Sequence, residues 1–195
     1  KNKYEIKKRL NENYELKMVQ EENAIKISAK RNKNNKKKKN GLSISFSVYV
    51  PENVTSNLTT SGGNINISTF NGKQVFTTSG GNLTCKQLKG DINGTTSGGN
   101  ISIEDSRDNI QLNTSGGNIS AENCSGNITI TTSGGNLDLE DLDGNIKAKT
   151  SGGNVNGEKI KGELKTSTSG GNVDLEELSA SVDASTSGGS MNVEI

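Results

Sequence analysis

The pentapeptide Thr-Ser-Gly-Gly-Asn spans Thr60 to Asn64 and returns with its threonine at Thr78, Thr96, Thr114, Thr132, Thr150, Thr168 and Thr186. Every interval is 18 residues, and only the last copy varies, with Ser190 in place of asparagine. A short fixed period sustained without insertion marks a stacked solenoid, in which each repeat contacts only its neighbours. That architecture also reconciles the chain with its composition. With 28% hydrophobic and 3% aromatic residues, 195 residues cannot fill a compact sphere, but they can fill a thin core repeated along one axis.

Numbering each repeat from its threonine as position one exposes that core. Position six is Ile65, Leu83, Ile101, Ile119, Leu137, Val155, Val173 and Met191, apolar in every copy, and position eight is apolar or small. Polar residues separate them, the alternation of a strand with one face inward. Nine residues further round, position fifteen (Ile92, Ile110, Ile128, Ile146, Leu164, Val182) and position seventeen repeat the pattern, with Gln74 the exception. Two short strands per coil follow. One corner is expected at position thirteen (Gly72, Gly90, Gly126, Gly144, Gly162, with Asp108 and Ala180 as departures), above an apolar plug at position eleven. The other corner is Ser-Gly-Gly, where glycine is expected to supply backbone angles closed to other residues.

The fold class expected is therefore all-β: a right-handed parallel β-helix of 18-residue coils over residues 51–195, its hand set by the chirality of parallel crossovers. A left-handed hexad helix would place an apolar residue every six, and a calcium-binding β-roll would carry Gly-Gly-x-Gly-x-Asp. The spacings here fit neither. Asn64, Asn82, Asn100, Asn118, Asn136, Asn154 and Asn172 recur in register and predict a structural ladder, bonded side chain to side chain along the axis. The threonine row is expected to act similarly.

Residues 1–50 read as β-strands capping the first coil. Tyr4 and Ile6, then Tyr14, Leu16 and Met18, then Ala24, Ile25 and Ile27 alternate with polar neighbours; Leu42, Ile44, Phe46, Val48 and Val50 do so most regularly, up to Pro51. Between them, residues 30–41 form a lysine- and asparagine-rich run expected to be a solvated hairpin loop. It lacks the interleaved aromatics of a single-strand binder, so no nucleic-acid partner is assigned. Residues 1–50 carry a net charge of +9, leaving −8 on the repeats.

The exposed row with most functional promise is position nine: Glu104, Glu122, Glu140, Glu158, Glu176 and Glu194, with Asp105, Asp141 and Glu177 beside it. Carboxylates stacked about 4.8 Å apart repel by roughly 0.9 kcal/mol per pair in water. Such a row either keeps a repetitive sheet soluble or attracts cations weakly along its edge. It offers no concave metal site, and no metal or cofactor is assigned. Cys85 and Cys124 fall two coils apart, roughly 10 Å at that spacing and too far to bridge, so both read as buried apolar residues.

Catalysis needs convergent acids, bases or nucleophiles. The chain has no His, and its acidic residues follow the repeat rather than breaking it. The clearest departures, Ser106, Arg107 and Asp108, sit in one corner, where Arg107 and Asp108 are expected to pair with each other. The reading is of a non-enzyme, with a carbohydrate-active β-helix lyase or hydrolase as the alternative.

Ser47-Val48-Tyr49-Val50-Pro51-Glu52-Asn53-Val54, running into Leu58-Thr59-Thr60-Ser61-Gly62-Gly63-Asn64-Ile65, resembles bacterial adhesin-like surface proteins of Bacteroides type, in which a strand ending in Val-Pro enters Thr-Ser-Gly-Gly-Asn repeats. The resemblance covers roughly the whole chain and is weakest over the first 40 residues. It implies an extracytoplasmic, cell-envelope or cell-surface protein, commonly a lipoprotein, acting in adhesion or structure, and it brings no catalytic residues. The partner expected is a surface polysaccharide or host glycan met by many weak contacts. Membrane attachment would come only from an N-terminal anchor removed ahead of Lys1. The strand at Ile195 predicts end-to-end self-association.

Overall fold

The computed structural model describes residues 2–32 and 42–195 and divides into two compact units, Lys1–Val48 and Tyr49–Ile195. The first unit opens with a helix, α1 (Lys3–Asn13), where strand was expected. Two alternating apolar residues, Tyr4 and Ile6, are too few to set a period. The run around them is rich in Lys, Glu, Arg and Leu, with no Gly or Pro, and those are helix formers. Asn2 caps the start by accepting from the Tyr4 amide at 3.2 Å, and the Asn13 Nδ2 closes the end by donating to the Arg9 carbonyl at 2.8 Å.

The strands β1 (Tyr14–Glu21) and β2 (Ala24–Arg31) then form an antiparallel hairpin with Met18 opposite Ile27. Lys30 and Arg31 thus end a strand, while the rest of the expected basic loop, residues 33–41, lies outside the described residues. The Tyr14 hydroxyl holds the returning chain, accepting from the Leu42 amide at 3.0 Å and donating to its carbonyl. The strand expected through Leu42, Ile44, Phe46, Val48 and Val50 does not form. Alternation says which side chains could share a face, but a strand also needs a neighbour's amides. Among the described residues none pairs with this segment, and Phe46, Val48 and Tyr49 are exposed.

The second unit is the solenoid. Its strands are β3 (Ser56–Thr60), β4 (Ile65–Ser68), β5 (Gln74–Thr78), β6 (Leu83–Lys86), β7 (Lys89–Thr95), β8 (Ile101–Glu104), β9 (Arg107–Asn113), β10 (Ile119–Thr131), β11 (Leu137–Lys149), β12 (Val155–Glu158), β13 (Lys161–Thr168), β14 (Val173–Glu176), β15 (Ser179–Thr186) and β16 (Met191–Val193). All pairings among them are parallel and join residues 18 apart, so Ile119 faces Ile101 on one side and Leu137 on the other. One ladder runs β4-β6-β8-β10-β11-β12-β14-β16 and the other β3-β5-β7-β9-β10-β11-β13-β15. They share β10 and β11, which carry both halves of a coil without a break in pairing.

Positions six, eight, eleven, fifteen and seventeen point inward and bury a continuous core from Ile65 to Leu178. The polar exception, Gln74, is fully buried and satisfied from below: its Nε2 donates to the Val54 carbonyl at 2.6 Å and its Oε1 accepts from the Ser56 hydroxyl. A solenoid interior tolerates such a residue only because both ends of the amide find partners.

Between the two strands the chain turns at two points. The glycines of position thirteen adopt positive φ, from 96° at Gly162 to 131° at Gly144, and Asp108 does the same at 88°, whereas Ala180 does not. Position ten is the second point and was not foreseen: Thr69, Gln87, Asp105, Asn123, Asp141, Lys159 and Glu177 all take left-handed φ between 50° and 62°. Gly126 and Gly144 consequently lie inside β10 and β11, yet still bend the chain there.

Candidate functional site

The Ser-Gly-Gly-Asn corner needs its glycines for a reason other than the expected one. None of these glycines has positive φ. The second glycine of each pair instead passes closely over its counterpart one coil below. A Cβ on Gly81, Gly99, Gly117, Gly135 or Gly153 would lie 1.9 Å from the carbonyl oxygen of the equivalent glycine one coil earlier. The first glycine is not crowded: at Gly134 the nearest atom to a Cβ is 3.7 Å away. A Cβ on Gly63, with no equivalent coil beneath it, would meet only the Thr60 side chain, its hydroxyl nearest at 3.1 Å. Glycine here lets two backbones touch.

The threonines lock that contact. Thr96 donates its hydroxyl to the Gly81 carbonyl at 2.9 Å and accepts from the Gly99 amide at 3.2 Å, and the same pair of bonds recurs through Thr186. The side chains at Thr78, Thr96, Thr132 and Thr150 are buried with both hydrogen-bonding roles satisfied.

The asparagine row also bonds along the axis, but not side chain to side chain. Each Oδ1 accepts from the backbone amide of the asparagine one coil later, at 2.9 Å from Asn64–Asn82 through Asn154–Asn172, and Asn172 likewise accepts from Ser190. The buried glycine beside it leaves that amide at the corner with no strand partner, and the carboxamide supplies one. A true side-chain ladder does exist, at position fourteen, where Asn109 donates to Asp91 at 2.8 Å, Asn127 to Asn109 at 3.1 Å and Asn145 to Asn127. The signal for it was the recurrence of Asp91, Asn109, Asn127 and Asn145 at 18-residue spacing.

On the outer face of the first ladder, Glu104, Glu122, Glu140, Glu158 and Glu176 stand in strict register on adjacent strands. Glu194 follows the end of β16, its amide donating to the Leu175 carbonyl at 2.7 Å. Lys86 occupies the same slot two strands below Glu122 and pairs with Glu104, which raises the lysine's pKa through that bond. Lys159 pairs with Glu158 at 2.5 Å. Position seven lies beside this row, with Asn156 donating to Asp138 at 2.8 Å and Asn192 to Asp174 at 3.0 Å. Glu122, Glu140, Glu158, Glu176, Asp138 and Asp174 line a shallow depression of about 280 Å³. Among the described residues no three acidic, thiol or imidazole groups converge as a metal centre would require.

The departures from the repeat bring no reactive groups together. Ser106 is buried, and its hydroxyl accepts from the Leu88 amide at 3.0 Å and donates to the Glu104 carbonyl at 2.9 Å. Among the described residues Arg107 and Asp108, both exposed on β9, form no ion pair with each other. Cys85 and Cys124 are free and buried. Burial pushes the Cys85 thiol up to about 12 and Cys124 to about 11, so neither is a nucleophile at neutral pH. Among the described residues no helix is long and apolar enough to cross a membrane.

No curated protein and no solved structure matches the chain. The family model that matches it is Toastrack DUF4097, over residues 1–195. A repeating strand stack held at its corner by Thr, Gly and Asn rungs is thus the form taken by a member of the Toastrack DUF4097 family, to which this chain belongs.

Proposed function

We propose that this Toastrack solenoid is a non-enzymatic module of the cell envelope or cell surface that binds a repetitive polysaccharide through many weak, equivalent contacts. The observation that carries the reading is the register of the outer face, where Glu122, Glu140, Glu158 and Glu176 recur on consecutive strands beside Asp138, Asn156 and Asp174. Carboxylates and carboxamides at fixed spacing accept and donate to sugar hydroxyls. A polymer with its own short repeat can engage several rungs at once, and avidity then exceeds the strength of any single contact. The negative charge of the face favours neutral or amine-bearing glycans over acidic ones.

The non-catalytic part of the reading is supported by the committed hydroxyl of Ser106 and by acids that follow the repeat rather than meeting a base. The resemblance to adhesin-like surface proteins supports the location. A glycan array run together with a product assay on the bound polysaccharides tests both parts. Binding without cleavage, weakened when Glu122, Glu140 and Glu176 become Gln, is the expected result. Cleavage, or no binding to any glycan, overturns it.

A further inference from the structure

The hairpin of the first unit has two unlike faces. Residues opposite one another across β1 and β2 share a side, so Leu16 with Ala29, Met18 with Ile27 and Gln20 with Ile25 make one face. Lys17 with Ser28 and Val19 with Lys26 belong to the other. The first face is apolar but for Gln20, and it is largely uncovered: Met18 is 74% exposed, Leu16 45% and Ile25 46%, with Ile27 and Ala29 half-buried. The second face is charged and paired within itself, Lys17 to Glu15 at 2.8 Å and Lys26 to Glu21 at 2.9 Å. A single apolar side chain in water needs no explanation, but a contiguous set on one side of a sheet marks a contact surface.

Two properties of the unit decide what covers it. The face is small: two strands of eight residues present roughly 26 Å by 10 Å, about 260 Å², where a stable protein interface buries about 800 Å² per partner. The unit is also basic. Over residues 2–32 Lys and Arg outnumber Glu by eight to five, and over residues 1–50 the net charge is +9. That charge opposes a second copy of the same hairpin and attracts a polyanion. A nucleic acid would meet the charge and leave the apolar face wet. An anionic bilayer answers both, because its headgroup boundary takes in a shallow apolar face of any size while its surface potential draws lysines toward it.

We propose that the hairpin's apolar face docks on a membrane of anionic lipid, with Leu16, Met18 and Ile25 entering the headgroup boundary and Lys17, Lys26 and Lys30 reaching back to lipid phosphates from the opposite side. This attachment is separate from any anchor, and it holds whichever ligand the solenoid takes.

The chain has no Trp, so one introduced indole reports its own surroundings. The full chain carrying Met18→Trp is titrated with vesicles of equal parts phosphatidylglycerol and phosphatidylcholine, and with vesicles of phosphatidylcholine alone. Emission is expected to shift to the blue on the anionic vesicles, with affinity falling at least tenfold on pure phosphatidylcholine or in half-molar salt. Val19→Trp, on the other face of the same strand, is expected to bind without the shift. In the parent chain, Leu16→Asp with Met18→Asp should abolish flotation with the anionic vesicles, and the paired indole probes give a readout that does not depend on how that variant folds. No binding to anionic vesicles, equal binding to both lipids, or equal shifts from the two indoles overturns the proposal. So does a lipid-free blue shift of the Met18→Trp chain that grows with its concentration, which would mean that a second copy covers the face.

Discussion

The hydroxyl of Thr132 donates to the carbonyl of Gly117 at 2.9 Å, and that same carbonyl oxygen lies 1.9 Å from where a Cβ on Gly135 would stand. One atom therefore explains two conserved-looking letters of the repeat. Glycine lets the upper coil reach that oxygen, and threonine bonds it once there.

Removing the hydroxyl should cost more than the bond alone. Thr132→Val leaves the Gly117 carbonyl and the Gly135 amide, now paired at 2.9 and 3.2 Å, without a partner in a buried corner. A loss of about 1–3 kcal/mol is expected, and Thr132→Ser should recover most of it. Urea denaturation of the three proteins checks this; equal midpoints for Val and Thr would refute the bridging role.

The two glycines of a pair should respond oppositely to the same change. Gly135→Ala forces a Cβ into backbone at 1.9 Å and should destabilise by about 3 kcal/mol or more, or prevent folding. Gly134→Ala meets nothing closer than 3.7 Å and should stay within about 1 kcal/mol of the wild type, since neither glycine is left-handed. Thermal melts of the pair decide it.

Asn118 accepts from the Asn136 amide at 2.9 Å, and only its Oδ1 is used for that bond. Asn118→Asp keeps the acceptor and should fold with near-native stability, while Asn118→Ala should lose about 1 kcal/mol. Hydrogen exchange at the Asn136 amide reports the rung directly: fast in the alanine variant, slow in the aspartate one.

Stability should be flat through neutral pH and fall in alkali. Burial raises the Cys85 thiol from 9.0 to about 12 and Cys124 to about 11. Well below pH 9 both are protonated folded or unfolded and contribute nothing to the pH dependence. Between about 9 and 12 the unfolded chain ionises first, so stability declines as pH rises. Urea midpoints at pH 7 and 10 should differ by less in Cys85→Ala than in the wild type. Iodoacetamide should label neither thiol in the native state.

The inward positions were legible because their chemistry is uniform: position six is apolar in Ile65, Leu83 and every later copy, so the core and the parallel stack follow from the letters. The left-handed corner at position ten was not, since Thr69, Gln87, Asp105 and Lys159 share a backbone angle but, beyond being polar, no residue type that marks it, and no glycine. The position-thirteen glycines do bend the chain as expected, but the Ser-Gly-Gly glycines were found for the wrong cause, because a sequence cannot distinguish a residue that must bend from one that must be thin. Helix α1 was hidden by Tyr4 and Ile6, and the segment around Phe46 alternates without a neighbour to pair with. At the outer face, the row of glutamates was visible, but Lys86 ending it through Glu104 needed the register to be seen.

The close seating of each glycine on the coil below has a consequence for how such a molecule can change size. Because each coil seats only on the one below, length comes in whole storeys: deleting the block from Thr114 to Thr131 should shorten the rod by one floor and rejoin like to like. Removing one residue fewer would turn the wall inside out from that floor upward, exposing Leu139 and its successors. The chain is a ruler marked in units of eighteen, and it can be cut only at the marks.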